Sequence, residues 1–234
     1  MTKRIIIFSL ARSGTSWLVT SLRSHPDILC HGEALYPRHI PRQLFGSARD
    51  LLTAEMCEQD PVSYAYKLFE HSDGAAAVGF KVFPVHSPSA HRARLEDETI
   101  SKIVLTRENT LATWSSLLVA RLTGRWNTRN KGIQQEVKAG FDAEAFETFC
   151  KRGPRFYDKI DRLLAGPRLD ITYAKDVMEQ RSEPILEFLG VSAEHELSCI
   201  KQKMLGRSIV DRFEEPDMVR AYLDKIGKPE WAYE

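Results

Sequence analysis

Arg12-Ser13-Gly14-Thr15-Ser16-Trp17 places a guanidinium, three hydroxyls and a glycine within six consecutive residues. Groups of these types, so close together, bind anions. Ahead of them, residues 4–9 contain the apolar run Ile5-Ile6-Ile7-Phe8; behind them, Trp17, Leu18 and Leu22 fall at helical spacing. The pattern predicts a buried strand, a tight loop and a helix. Such a unit points the unpaired N–H groups and the positive dipole end of its helix at whatever the loop holds. Gly14 permits close backbone approach, the hydroxyls of Ser13, Thr15 and Ser16 can donate to phosphate oxygens, and Arg12 adds a full charge at the loop mouth. The geometry is P-loop-like, but a Walker A loop requires G-x-x-x-x-G-K-[ST]. Here the loop is shorter, the lysine is missing, and no downstream strand ends in Asp as a Walker B strand would. Hydrolysis of Mg-ATP therefore lacks two of its parts. A ligand ending in a monoanionic sulfonate needs less charge neutralised and can dispense with the metal.

The elements that must position this loop alternate along the chain. Strands are predicted at 27–30, 78–83, 101–106 and 169–173. Helices are predicted over the segment after the loop, over 110–122 (Leu111, Trp114, Leu118 and Leu122 in step) and over 142–164, the last whole or broken at Gly153-Pro154. A further helix is expected over 183–189, capped by Ser182, with Pro184 in its first turn and Gly190 ending it. This order predicts an α/β fold, a mostly parallel sheet flanked by helices, formed by a single domain over residues 1–234. Residues 36–75, with one or two helices near 47–58 and 61–71, and residues 123–140 read as insertions that wall an acceptor site. In a parallel sheet Glu33, after the second strand, opens at the same carboxyl edge as the Arg12 loop.

At these residues the chain resembles the sulfotransferases that use 3′-phosphoadenosine 5′-phosphosulfate (PAPS) and release 3′-phosphoadenosine 5′-phosphate (PAP). Arg-Ser-Gly-Thr-Ser-Trp-Leu (12–18) is similar to their 5′-phosphosulfate loop. The family binds the 3′-phosphate with an Arg at a strand end and a Ser eight residues later on the following helix; Arg107 and Ser115 have that spacing. A guanidinium fork and a hydroxyl two helical turns along can converge on one phosphate. His31-Gly32-Glu33-Ala34-Leu35 and the segment from Leu117 to Trp126 resemble the bacterial carbohydrate-sulfotransferase branch, the nodulation-factor and trehalose-modifying types. There the Glu of the first segment is the proposed general base. The resemblance thus implies a transferase in which Glu33 deprotonates an acceptor hydroxyl, with His31, or less readily His25, as the competing base. It gives Arg12 charge stabilisation at the transferring group, and Lys81, in a family Gly-x-Lys pattern, a contact with donor or acceptor. The terminal Arg-Lys-Gly-x-x-Gly-Asp-Trp-Lys loop of the cytosolic steroid and phenol enzymes is absent, which leaves Arg207 as the candidate for its phosphate contact or as a plain surface charge. The implied acceptor is a small molecule, a carbohydrate or a glycosylated metabolite; Tyr36, His39, Trp126, Arg125 and Arg129 are the residues that could face it.

Composition bounds what else the chain could be. Hydrophobic residues make up 43% and charged residues 28% of 234, with a formal net charge of +1. No global field recruits nucleic acid, so anion binding must be local. No apolar stretch approaches the twenty residues of a membrane span. Cys30, Cys57, Cys150 and Cys199 form no C-x-x-C pair and no metal spacing, which favours reduced thiols in a cytoplasmic protein without metal. The oligomeric state is open, a homodimer included. Two rival functions stand beside the transferase: a P-loop-like kinase or hydrolase needing Mg²⁺, and a non-catalytic nucleotide-binding protein on the same fold. The latter would have no need of Glu33.

Overall fold

A computed structural model describes residues 1–40, 42–126, 137–199 and 208–234. The element order is β1 (Lys3–Phe8), α1 (Thr15–Leu22), β2 (Ile28–Cys30), α2 (Ala48–Leu51), α3 (Ala54–Gln59), α4 (Pro61–Glu70), β3 (Ala77–Val82), α5 (Pro88–Glu96) and β4 (Ser101–Thr106). There follow α6 (Thr110–Thr123), α7 (Ala143–Cys150), α8 (Arg152–Leu163), β5 (Arg168–Thr172), a π-helical turn Tyr173–Met178, α9 (Glu183–Leu189) and α10 (Pro216–Lys225). The chain forms two compact units. One comprises Met1–Thr106 with Lys159–Cys199, the other Arg107–Asp158 with Ile200–Glu234.

The first unit holds a five-stranded sheet in the order β2-β3-β1-β4-β5, every pair parallel. Ile5, Ile6, Ile7 and Phe8 are all fully buried, which identifies β1 as a strand covered on both faces. On one face Ile5 and Ile7 pack with Leu18 and Leu22 of α1, Ile103 and Leu105 of β4, and Ile185 and Leu189 of α9. Each such side chain contributes about 1.5–3 kcal/mol by leaving water. The chain moves from β1 to β2 on one side of the sheet and crosses from β3 to β4 past β1. The loop after β1 therefore leaves the sheet at a topological switch point, where α/β folds bind ligands.

In the second unit, Leu111 and Trp114 of α6 pack with Phe146 and Phe149 of α7, Val219 and Leu223 of α10, and Ile209 and Phe213. Asn109 caps α6 by accepting from the Ala112 amide at 2.9 Å, and Gly124 ends it with φ +65°. The 142–164 segment is two helices, broken at Lys151 rather than at Gly153-Pro154. Pro154 sits in the first turn of α8, where a missing N–H costs nothing. Ser182 precedes α9 as expected but is itself helical and makes no side-chain cap; Gly190, φ +68°, ends that helix.

Candidate active site

The loop after β1 turns sharply. Arg12 and Gly14 both have positive φ, +68° and +92°. A Cβ on Gly14 would lie 2.5 Å from Cδ2 of Tyr173, so both the backbone conformation and the space demand glycine. Gly14 is the N-cap of α1 and supplies no side-chain cap. Ser13 and Thr15 are buried, and Trp17 packs against the core behind the loop.

Lys81 links this loop to Glu33. Its Nζ donates to Ser16 Oγ at 3.2 Å and lies 3.0 Å from Glu33 Oε1. The link follows from the sheet: His31 N donates to the Gly79 carbonyl and Lys81 N to the Gly32 carbonyl, extending the β2–β3 ladder beyond Cys30 and setting Glu33 beside Lys81. Gln43 Oε1 accepts from the Glu33 amide and fixes the turn. Lys81 is only 5% exposed, so it is no solvated edge lysine.

A residue the sequence did not single out completes the cluster. His86, in the turn between β3 and α5, places Nε2 3.5 Å from Glu33 Oε2, while its Nδ1 is buried without a hydrogen-bond partner. Its ring stacks on Tyr36 (5.0 Å, 18°), which meets His39 edge-on at 4.4 Å. No spacing rule flags His86, because four residues including a proline separate it from Lys81; only the turn brings it back.

The electrostatics follow from this packing. Burial pushes the Glu33 carboxyl up, but Lys81, His86 and His39 together outweigh it and hold the group below its ordinary 4.5. Burial draws Lys81 below 10.5 against the opposing pull of Glu33, and draws His86 below 6.5. Glu33 is thus an anion at neutral pH, partly open to solvent (24%) and held at both oxygens.

His31 is not part of this cluster. Its ring is fully buried, Nδ1 accepts from the Phe45 amide at 3.2 Å, and burial pushes its pKa down to about 4. His25 is likewise interior, with Nε2 against the Ser192 carbonyl and Nδ1 accepting from Asp27 N.

In the second unit Arg107 follows β4 directly. Its Nε and NH2 donate to Oε1 and Oε2 of Glu234 at 2.6 and 2.5 Å, both side chains being nearly buried. Ser115 is fully buried on α6; its hydroxyl donates to the Ala112 carbonyl at 3.1 Å and accepts from Arg212 NH1 at 3.0 Å. Arg207, the sequence candidate for a further phosphate contact, lies outside the described residues, as does Arg129. Arg212, five positions beyond Arg207, is the arginine that reaches Ser115. Trp126 is exposed. An apolar groove of about 560 Å³ beside α7 and α10, lined by Cys150, Tyr222 and Trp231 among others, contains none of these residues.

Among the described residues no group of three or more His, Cys, Asp or Glu is placed to hold a metal ion, and no helix is long and apolar enough to cross a membrane.

The fold is the sulfotransferase fold. Over 98% of this chain and 95% of the other, it superposes on a sulfotransferase from Alicyclobacillus acidocaldarius with a TM-score of 0.53 and 17% identity. In sequence the chain is 26% identical over 228 residues, 92% of its own length and 84% of the relative's, to Nodulation protein H of Rhizobium tropici. The likeness to the solved structure shows the fold, and the sequence likeness makes Nodulation protein H a distant relative of this chain. No family model matches the chain.

Proposed function

We propose that this protein transfers the sulfuryl group of PAPS to a hydroxyl of an acceptor, with Glu33 as general base. The observation that carries the reading is the position of Lys81 Nζ, which touches both the anion loop, at Ser16, and the carboxylate, at Glu33. A phosphate cradle and a base held together by one buried cation are the parts that in-line transfer requires.

The chain's groups suit the donor. The αL turn at Gly14 and the first-turn amides of α1 form a cradle for the 5′-phosphosulfate end, with Arg12 at its mouth. Arg107, already matched to a two-oxygen anion, and Ser115 suit the 3′-phosphate. Arg212 takes the role the sequence offered to Arg207, through its bond to Ser115. PAPS supplies the activated sulfuryl group. Glu33 takes the acceptor's hydroxyl proton, the acceptor oxygen bonds to sulfur as the bridging S–O bond breaks, and Lys81 and Arg12 offset the charge growing on the departing phosphate. His86 is a positioning residue that holds the second oxygen of Glu33.

The acceptor is a carbohydrate or a glycosylated metabolite. Half-buried Tyr36, stacked on His86 with His39 at its edge, sets an aromatic face and two imidazoles beside Glu33, as a polyhydroxylated ring requires. In this reading residues 36–75 wall the acceptor side; of 123–140, the second segment the sequence offers for that wall, residues 127–136 lie outside the described residues. Four cysteines outside any disulfide fit a cytoplasmic setting.

Calorimetry with PAP and with Mg-ATP, followed by a labelled-PAPS screen over hydroxylated acceptors, tests the reading. PAP should bind without added metal, and Glu33→Gln should keep PAP affinity while the transfer rate falls about 10²- to 10⁴-fold. A folded Glu33→Gln enzyme with near-normal turnover removes Glu33 as base. Mg-ATP bound in preference to PAP favours the kinase reading.

A further inference from the structure

The guanidinium of Arg107 is already occupied by an anion from the chain itself. Nε and NH2 meet the two oxygens of Glu234 in a bidentate pair, with side-chain exposures of 7% and 6%. Two coplanar oxygens on a guanidinium fork is also how a phosphate is gripped. The segment presenting Glu234 is anchored independently of that carboxylate. Asn109 Nδ2 donates to the carbonyls of Trp231 and Tyr233 at 3.1 and 2.7 Å, Ile209 N donates to the Ala232 carbonyl at 2.8 Å, and Ser208 bridges to Tyr233. The Glu234 side chain can therefore swing off Arg107 without unzipping the segment that delivers it.

We propose that Glu234 is an internal competitor for the ribose 3′-phosphate: its carboxylate holds Arg107 between turnovers, yields it to the phosphate, and takes it back as PAP departs. The inference rests on the assignment of Arg107 to the 3′-phosphate. A nearly buried guanidinium left without a partner is costly, whereas an exchange of one anion for another avoids that penalty at both binding and release. The more highly charged phosphate displaces the monoanionic carboxylate, but its net gain is reduced by the pair it breaks. Glu234 thus sets how tightly the product's 3′-phosphate is retained and how fast it leaves.

The test compares PAP with AMP, which lacks only the 3′-phosphate, in titrations of the wild-type chain and of Glu234→Gln, Glu234→Asp and Arg107→Ala. Glu234→Gln should bind PAP about tenfold tighter, the worth of one charge-assisted pair, with slower PAP release and unchanged AMP affinity. Glu234→Asp, which keeps the charge on a shorter stem, should fall between the two and covers the case in which the Gln variant does not fold. Unchanged or weaker PAP binding in both folded variants overturns the proposal, as does an equal shift for PAP and AMP, the mark of a purely structural role. If the wild-type chain does not distinguish PAP from AMP and Arg107→Ala leaves PAP affinity alone, the 3′-phosphate assignment has failed, and this inference with it.

Discussion

Lys81 illustrates how one side chain can set the chemistry of another. Burial alone pushes a carboxyl up, yet Glu33 lies below its ordinary 4.5 because Lys81 and His86 hold its two oxygens. A depressed carboxylate adds stability that is complete above 4.5 and is lost as pH falls through the lower folded value. The same shift keeps Glu33, the proposed base, ionised throughout the neutral range. In Lys81→Met the burial effect loses its main opponent, so the Glu33 pKa should rise. The acidic limb of kcat/KM should then move to higher pH, and the rate at the optimum should fall about 10- to 100-fold because Ser16 and Glu33 are no longer tied together. A pH profile recorded on the folded variant checks this. An acidic limb that stays in place means Lys81 does not tune the base.

At the scale of elements, the sequence was legible where one physical signal dominated. The apolar run of β1, the Gly14 turn, β4 over Ser101–Thr106 and α6 from Thr110 all fall where pattern and capping chemistry put them. Helix α5 was missed because the positions it buries are Ala90, His91, Arg94 and Leu95, two of them charged or titratable, so no apolar period exists to find. Only its cap, Ser87 accepting from Ala90 N with Pro88 next, was readable. Helix α10 buries just Val219 and Leu223, too few to stand out. The site divided in the same way. Arg12–Trp17 was marked by residue type and order, Glu33 by its place after a strand together with the family resemblance, and Lys81 by the resemblance, whereas His86, Arg212 and Glu234 depend on turns and long-range contacts that spacing does not encode. The Gly14 turn gives the sharpest test at this scale. Gly14→Ala must hold φ +92° and fit a Cβ 2.5 Å from the Tyr173 ring. Strain of that kind costs about 1–3 kcal/mol, which corresponds to a melting temperature lower by roughly 2–12 °C for a chain of this size. PAP affinity should fall with it. Adding Tyr173→Ala should return the steric part and leave the backbone part. A single variant with normal melting and normal PAP affinity would show that the turn does not form the cradle.

For the molecule as a whole, 33 basic residues face 32 acidic ones, a formal net charge of +1. No long-range field can select a multiply charged nucleotide, so selection must come from the few cations placed by the fold. Arg12 and Lys81 belong to the first unit, and Arg107 and Arg212 to the second. On the proposed reading these side chains supply the neutralising charge, so PAP should stabilise the protein with no metal in solution. A ligand at one hundred times its Kd adds about 2.7 kcal/mol to the folded state, or roughly 5–11 °C in melting temperature at this chain length. Differential scanning fluorimetry with PAP should give that rise, the same in EDTA as in Mg²⁺. AMP at equal concentration should give much less, since it forgoes Arg107. A PAP response abolished by EDTA would place a metal in the donor site and reopen the kinase-like reading.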